Sequence, residues 1–194
     1  MYSQNETEEE IKSKISDVRN VFYSTHVKNF IFKNSQKIEC AEQVSQNIDI
    51  DVLIKNTVFI FHDTNKIFFN YSLFKTYANP SIYVRMIKYI LTLFDTCIQK
   101  YNKFQIHVDL NTFSISAAHR YKIAIEMFCS EFLSSTNKIT VYEHLDKFYL
   151  YNTPSMIDNI SMILSPFIND HVRSKIEYVL KRDSTIALEQ FYNK

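Results

Sequence analysis

The sequence predicts an α/β fold with a mostly parallel sheet flanked by helices. Short aromatic and apolar runs, too short for helices, occur at Val58-Phe59-Ile60-Phe61 and over residues 104–110, 147–151 and 176–180. Stretches with apolar residues at helical spacing separate them. Strands joined through helices return in parallel and bury the sheet between helical layers. A composition that is 46% hydrophobic and 15% aromatic can fill such a core. The length of 194 residues suits one domain with a small N-terminal addition.

Taken in order, Asn5 or Thr7 can cap a helix over residues 7–23, with Glu8, Glu9 and Glu10 favourable against its dipole. Ile11, Ile15, Val18 and Phe22 form its apolar face. That face is expected to pack on the rest of the chain, with docking of a protein partner as the open alternative. Residues 29–32 read as a short strand and 35–54 are ambiguous. The run 58–61 is a buried strand, Asp63-Thr64-Asn65 a turn, and 66–71 a second strand. Residues 81–100 make the strongest helix, with Tyr83, Ile87, Ile90, Leu91, Phe94 and Ile98 on its buried side. A strand over 104–110 precedes a helix over 116–132, which buries Ala118, Tyr121, Ile125, Phe128 and Phe132. A polar loop follows at 134–138, then a strand over 147–151. Pro154 ends that strand, because it has no N–H for the ladder and holds Thr153 extended. Met156, Ile157, Ile160, Ile163 and Leu164 then recur at helical spacing. Ser165-Pro166 closes that helix and opens another turn, with serine as cap. A strand over 176–180 and a helix from Ser184 complete the chain.

Composition excludes several classes. Net charge is +1 and the 22 basic residues are scattered, without the stripe of a nucleic-acid binder. The chain has no glycine, which rules out phosphate-cradling loops and the dinucleotide fingerprint. Cys40, Cys97 and Cys129 are odd in number and far apart, and read as reduced core residues. The acidic start MYSQNETEEE is the opposite of a signal peptide. The apolar window 82–98 carries Arg85, Lys88 and Asp95, against a membrane span. These features imply a cytoplasmic setting. The bias towards Asn, Lys, Ile, Tyr and Phe suggests an AT-rich genome, such as that of a protist or a large DNA virus.

Candidate chemistry is sparse. His107 and Asp109 share one face of a strand, where a charge or metal pair competes with a structural or solvent-facing role. Ser114, Ser116 and His119 stand at a helix start, where hydroxyls cap the backbone and no glycine-flanked elbow exists. His62, His144 and His171 read as solvated. No metal-ligand or paired-carboxylate motif appears, so neither catalysis nor a cofactor is expected.

Three motifs carry a resemblance. The first is Glu143-x-x-x-Lys147-Phe148-Tyr149-Leu150-Tyr151-Asn152-Thr153-Pro154. The second is Ser165-Pro166-Phe167-Ile168 with Arg173-Ser174-Lys175-Ile176. The third is Ile106-His107-Val108-Asp109-Leu110 followed by Phe113-Ser114-Ile115-Ser116. Together they resemble the Sec14-like (CRAL-TRIO) lipid-binding domain, over roughly residues 57–180. The resemblance implies residues 56–194 as that domain and 1–55 as a reduced N-terminal helical extension. It implies an apolar pocket holding a phospholipid, with Phe104, Ile106, Val108, Phe148 and Leu150 as wall; ordinary core packing is the plain alternative for these five. Met156, Ile160 and Ile163 belong to the gate helix over residues 155–164, which would touch a membrane surface when open, and Phe167 in the turn after it is counted with the pocket and gate.

The resemblance also places Glu143 and Lys175 at the positions that engage an inositol phosphate in phosphatidylinositol-binding members; a surface ion pair is the plain alternative. The chain departs from the family pattern in places. Val172 stands where phosphoinositide binders often carry a hydroxyl. Phe104 and Ile106 replace the hydroxyl pair of phosphatidylcholine binders. Residues 134–140 are an insertion, no basic residue of the N-terminal part is identifiable, and the closing Leu-Pro-x-x-x-Gly-Gly segment is missing. The expected function is lipid binding and transfer. The competing expectation is the same fold with its cavity plugged by some of the 16 Phe and 13 Tyr rings, serving as a protein-interaction module.

Overall fold

The computed structural model describes residues 7–26, 33–133, 135–136 and 139–192. An Asn5 cap and a strand over 29–32 lie outside the described residues. Helix α1 (Glu8–Thr25) begins at Thr7. Its hydroxyl accepts from the Glu10 N–H at 3.3 Å, while its own N–H donates to Glu10 Oε2 at 2.8 Å. This reciprocal pair satisfies two amides that a helix start leaves orphaned. The ambiguous stretch that follows is helical: α2 (Lys33–Asn47) and α3 (Ile50–Thr57), the latter capped by Asp49. On α2 the buried stripe is only Cys40, Ala41 and Val44, so the sequence carries little amphipathic signal there.

Strands β1 (Val58–Ile60) and β2 (Lys66–Asn70) pair antiparallel across the expected turn. Helix α4 (Tyr71–Tyr77) has no counterpart in the sequence reading; Asn70 caps it through Oδ1, which accepts from the Leu73 N–H at 3.1 Å. A 3-10 turn (Pro80–Ile82) leads into α5 (Tyr83–Tyr101). Met86 and Cys97 are buried on it, whereas Leu91 and Ile98, expected inside, are half-buried. Strand β3 (Phe104–Asp109) follows as expected.

The single helix expected over 116–132 is broken at Tyr121 into α6 (Ile115–Arg120) and α7 (Lys122–Leu133). The cause is tertiary. The buried Tyr121 ring packs on Phe74 at 5.1 Å and Tyr71 at 6.2 Å, which fixes its backbone at φ −102, ψ 11. Where the sequence predicts a polar loop, at 134–138, Ser135–Thr136 form β4, which pairs antiparallel with β5 (Ile139–Thr140) just beyond it.

Strand β6 (Leu145–Thr153) runs into α8 (Ile157–Leu164), a 3-10 turn (Ser165–Phe167) and α9 (Asp170–Arg173). Ser165 does not cap that turn. Its hydroxyl bonds backwards to the Met162 carbonyl at 3.1 Å, and Leu164 occupies the cap position without a side-chain bond. Strand β7 (Ile176–Leu180) leads directly into α10 (Lys181–Tyr192), which starts three residues before Ser184. Ser184 is fully buried in the first turn of α10. Its hydroxyl bonds to the Val179 and Leu180 carbonyls and accepts from the Asn152 N–H at 2.7 Å.

The main sheet has the order β1-β2-β3-β6-β7, antiparallel at β1/β2 and parallel elsewhere. Strand order advances without reversal, so right-handed crossovers place α5, α7 and α8 on the same face. The other face is covered by α10, whose Phe191 ring lies 4.5 Å from Phe61 and 4.6 Å from His107. Without glycine, His62, Asn102 and Thr112 take up positive φ at turns, with Asn102 ending α5, and Asn152 does so inside β6, where its pairing with β7 is irregular. Asn and His tolerate that region comparatively well; the β-branched Thr112 does not.

Candidate functional site

The register of the sheet builds one continuous apolar surface. Ile67, Ile106, Phe148 and Ile176 align across β2, β3, β6 and β7, and two residues on Phe69, Val108, Leu150 and Tyr178 form a second row. Side chains alternate along a strand, so both rows face the same side. Opposite them stand Ile90 of α5, Ile125 and Phe128 of α7, and Ile157 and Ile160 of α8. The helical layer does not close on the sheet, and a cavity of about 520 Å³ remains between them. That volume lies within the ~300–1,000 Å³ usual for small-molecule sites. Its walls are overwhelmingly apolar. The charged groups are Asp158 and Arg173, and the Arg173 guanidinium is held by the Ser165 and Ile168 carbonyls at 3.3 and 3.4 Å.

Of the wall and gate residues expected from the sequence, Ile106, Val108, Phe148, Leu150, Ile160 and Phe167 line this cavity. Phe104, Met156 and Ile163 are not among its lining residues. Phe104 is fully buried and stacks on Phe94 at 4.6 Å, one layer deeper in the core. Met156 precedes α8 and is 52% exposed. The turn closed by the Ile157 N–H on the Pro154 carbonyl at 3.1 Å delays the start of α8, so Ile157, Ile160 and Leu164 meet the cavity. Met162 stands at the rim, 68% exposed. Sequence reasoning missed the contribution of α5 and α7. Their apolar spacing was visible, but which side faces a hollow and which fills a core depends on the crossover geometry.

Glu143 and Lys175 lie at the N-terminal ends of β6 and β7. Glu143 is exposed in a 3-10 turn (Val141–His144), and Lys175 is half-buried just before β7. Neither lines the cavity, and among the described residues no ion pair joins them. The charge pair at that edge is Lys147 with Glu177. The Lys175 carbonyl instead accepts from the Phe148 N–H at 2.9 Å, tying the lysine's backbone to the cavity wall.

His107 is buried on the opposite face of the sheet, not solvent-facing. Its Nδ1 is 2.9 Å from the Tyr151 hydroxyl and its Nε2 3.3 Å from Gln105 Oε1; the Gln105 amide donates to Asp146 at 2.8 Å. Burial, assisted by the Lys66 ammonium, pushes its pKa down to about 4, so the ring is neutral near pH 7. These partners are consistent with a tautomer in which Nδ1 accepts and Nε2 donates. Asp109 accepts from Asn152 Nδ2 at 2.7 Å. The pair is therefore structural, and no cluster of His, Cys, Asp and Glu suited to a metal occurs among the described residues. Ser114 caps α6 and Ser116 bonds to Asn34, both structural uses of the hydroxyl. All three cysteines are free, and burial raises their thiol pKa values, for Cys97 and Cys129 to about 11. Such thiols are poor nucleophiles near neutrality.

A largely parallel sheet with a walled apolar hollow on one face defines a class: an α/β domain built around a hydrophobic ligand site. Residues 56–194 match the family model of the CRAL/TRIO domain, and the chain belongs to that family. No curated protein sequence matches the chain. CRAL/TRIO proteins are generally lipid-binding transfer proteins and not enzymes, and membership supports a lipid or small hydrophobic molecule as ligand. No described helix is long and apolar enough to cross a membrane.

Proposed function

We propose that the protein holds a phospholipid in the cavity behind the sheet and transfers it between membranes as α8 swings outward. The observation that carries this reading is the cavity itself, about 520 Å³ walled by two rows of apolar side chains and by α5, α7 and α8. Burying each methylene contributes about 0.8 kcal/mol, so an acyl chain there supplies ample binding energy. The lid role of α8 is supported by its two-sided apolar character. Ile160 points inward with 2% exposure, while Met162 is largely exposed and available to a bilayer. The competing arrangement, a cavity plugged by aromatic rings, would need Phe and Tyr side chains to fill a space that they here only line.

Organic extraction of the purified protein followed by mass spectrometry tests the reading. A stoichiometric lipid is expected. An empty extract, with a melting temperature unmoved by added lipid, would overturn it. For head-group choice we propose phosphatidylinositol, with Lys175 supplying a point charge to the phosphate and Glu143 accepting from inositol hydroxyls. In vesicle-to-vesicle transfer, Lys175→Ala is expected to slow phosphatidylinositol several-fold more than neutral lipids; equal slowing of all lipids removes the head-group role.

A further inference from the structure

A second cavity, of about 320 Å³, lies beyond the C-terminal ends of β2 and β3, the end of the sheet opposite Glu143 and Lys175. Four cations from four helices line it: Arg19 of α1, Lys37 of α2, Lys75 of α4 and Arg120 at the end of α6. No carboxylate is in its wall. The chain as a whole is balanced, with 22 basic and 21 acidic residues, so this concentration of one sign is local.

Neutral groups hold two of these cations in place. Arg120 donates through Nε and Nη2 to Asn34 Oδ1 at 3.2 and 2.8 Å, and Lys75 Nζ donates to the Thr112 hydroxyl. Among the described residues none of the four pairs with an acidic side chain. Thr112 takes φ 68, a conformation that costs energy for a β-branched residue, and from there its hydroxyl meets Lys75. Partial burial and then the facing cations lower the ordinary pKa of Lys37, and burial followed by Arg19 lowers that of Lys75. The cluster thus repels itself, and a bound anion relieves that repulsion.

We propose that this basic cavity is a binding site for a phosphomonoester-bearing group of sugar or inositol size, either free in solution or carried on a lipid head group. A phosphomonoester brings about −1.5 to −2 charge and three acceptor oxygens, enough to engage several of the four cations at once. The hydroxyls of Tyr23, Thr112 and Ser114 in the same wall suit the polyol that carries it. The volume sits at the small end of the ~300–1,000 Å³ range of ligand sites. The inference does not rest on the lipid reading, although Tyr71 stands in the walls of both cavities.

Isothermal titration with inositol trisphosphate, and sedimentation with phosphatidylcholine vesicles containing a phosphatidylinositol bisphosphate, test the site. Saturable binding of the soluble probe is expected, weakening as salt is raised. Recruitment to the vesicles, with displacement by the soluble probe, assigns the head-group source. Soluble binding without recruitment assigns the free one. The double variant Lys75→Gln/Arg120→Gln is expected to bind at least about tenfold more weakly, since it removes two charge-assisted donors. Should that variant fail to melt cooperatively, Lys37→Gln, exposed on α2, provides the second reading, with about a threefold loss expected. No saturable binding of either probe, or unchanged affinity in a folded variant, overturns the proposal.

Discussion

The two faces of the sheet are made by alternate residues of the same strands and have opposite fates. Towards α10, the Phe191 ring lies 4.5 Å from Phe61, 5.6 Å from Phe68 and 4.6 Å from a neutral, fully partnered His107. Towards α5, α7 and α8, Ile106, Val108, Phe148 and Leu150 face a hollow. One helix lies against its face and packs solid. Several helices held off by their own mutual contacts leave a gap. The layer's geometry, not the hydrophobicity of the strands, decides which face can accept a guest.

The contrast can be broken most severely on the solid face. Phe191→Ala is expected to cost about 3–5 kcal/mol, because the site has little room to collapse onto the lost ring; urea denaturation measures it. The smaller effect on that face depends on pH. His107 titrates at about 4 against an ordinary 6.5, so the folded state resists a proton that the unfolded state takes up. Its contribution is complete above about pH 6.5 and is lost as pH falls towards about 4, at most about 3–4 kcal/mol at about 1.4 kcal/mol per pKa unit. In His107→Gln the fall in stability between those pH values should be shallower than in the unsubstituted protein; parallel curves would show that the imidazole is not the group responsible. On the hollow face, Leu150→Trp is expected to change stability by less than about 1.5 kcal/mol, since it grows into empty space. Its co-extracted lipid should nonetheless fall at least tenfold by mass spectrometry. A large loss of stability with lipid retained would mean that the two faces are packed alike.

The sequence made the parallel sheet and its principal strands legible because β3, β6 and β7 are short, apolar and bounded by turn residues or Pro154. Of the residues to which the family motifs pointed, Ile106, Val108, Phe148, Leu150, Ile160 and Phe167 line the cavity, and Phe104, Met156 and Ile163 do not. Helix α4 was hidden, since Tyr71–Tyr77 follows β2 without a break and its cap, Asn70, is also the last strand residue. The break at Tyr121 could not be read, because the packing of Phe74 and Tyr71 overrides local periodicity there. The basic cavity was the least visible feature. Arg19, Lys37, Lys75 and Arg120 are far apart in the chain, and the scattered look of the basic residues in one dimension concealed their convergence in three.

The bond from Asn152 to Ser184 has a mechanical consequence. Ser184 is simultaneously bound to the carbonyls of Val179 and Leu180, so the end of β6, the end of β7 and the first turn of α10 are bolted together at one hydroxyl. Asn152 also grips Asp109 on β3. Were α8 to swing outward as proposed, the strand beneath it would stay anchored, and the pivot would fall downstream, in the short link from Pro154 to Met156.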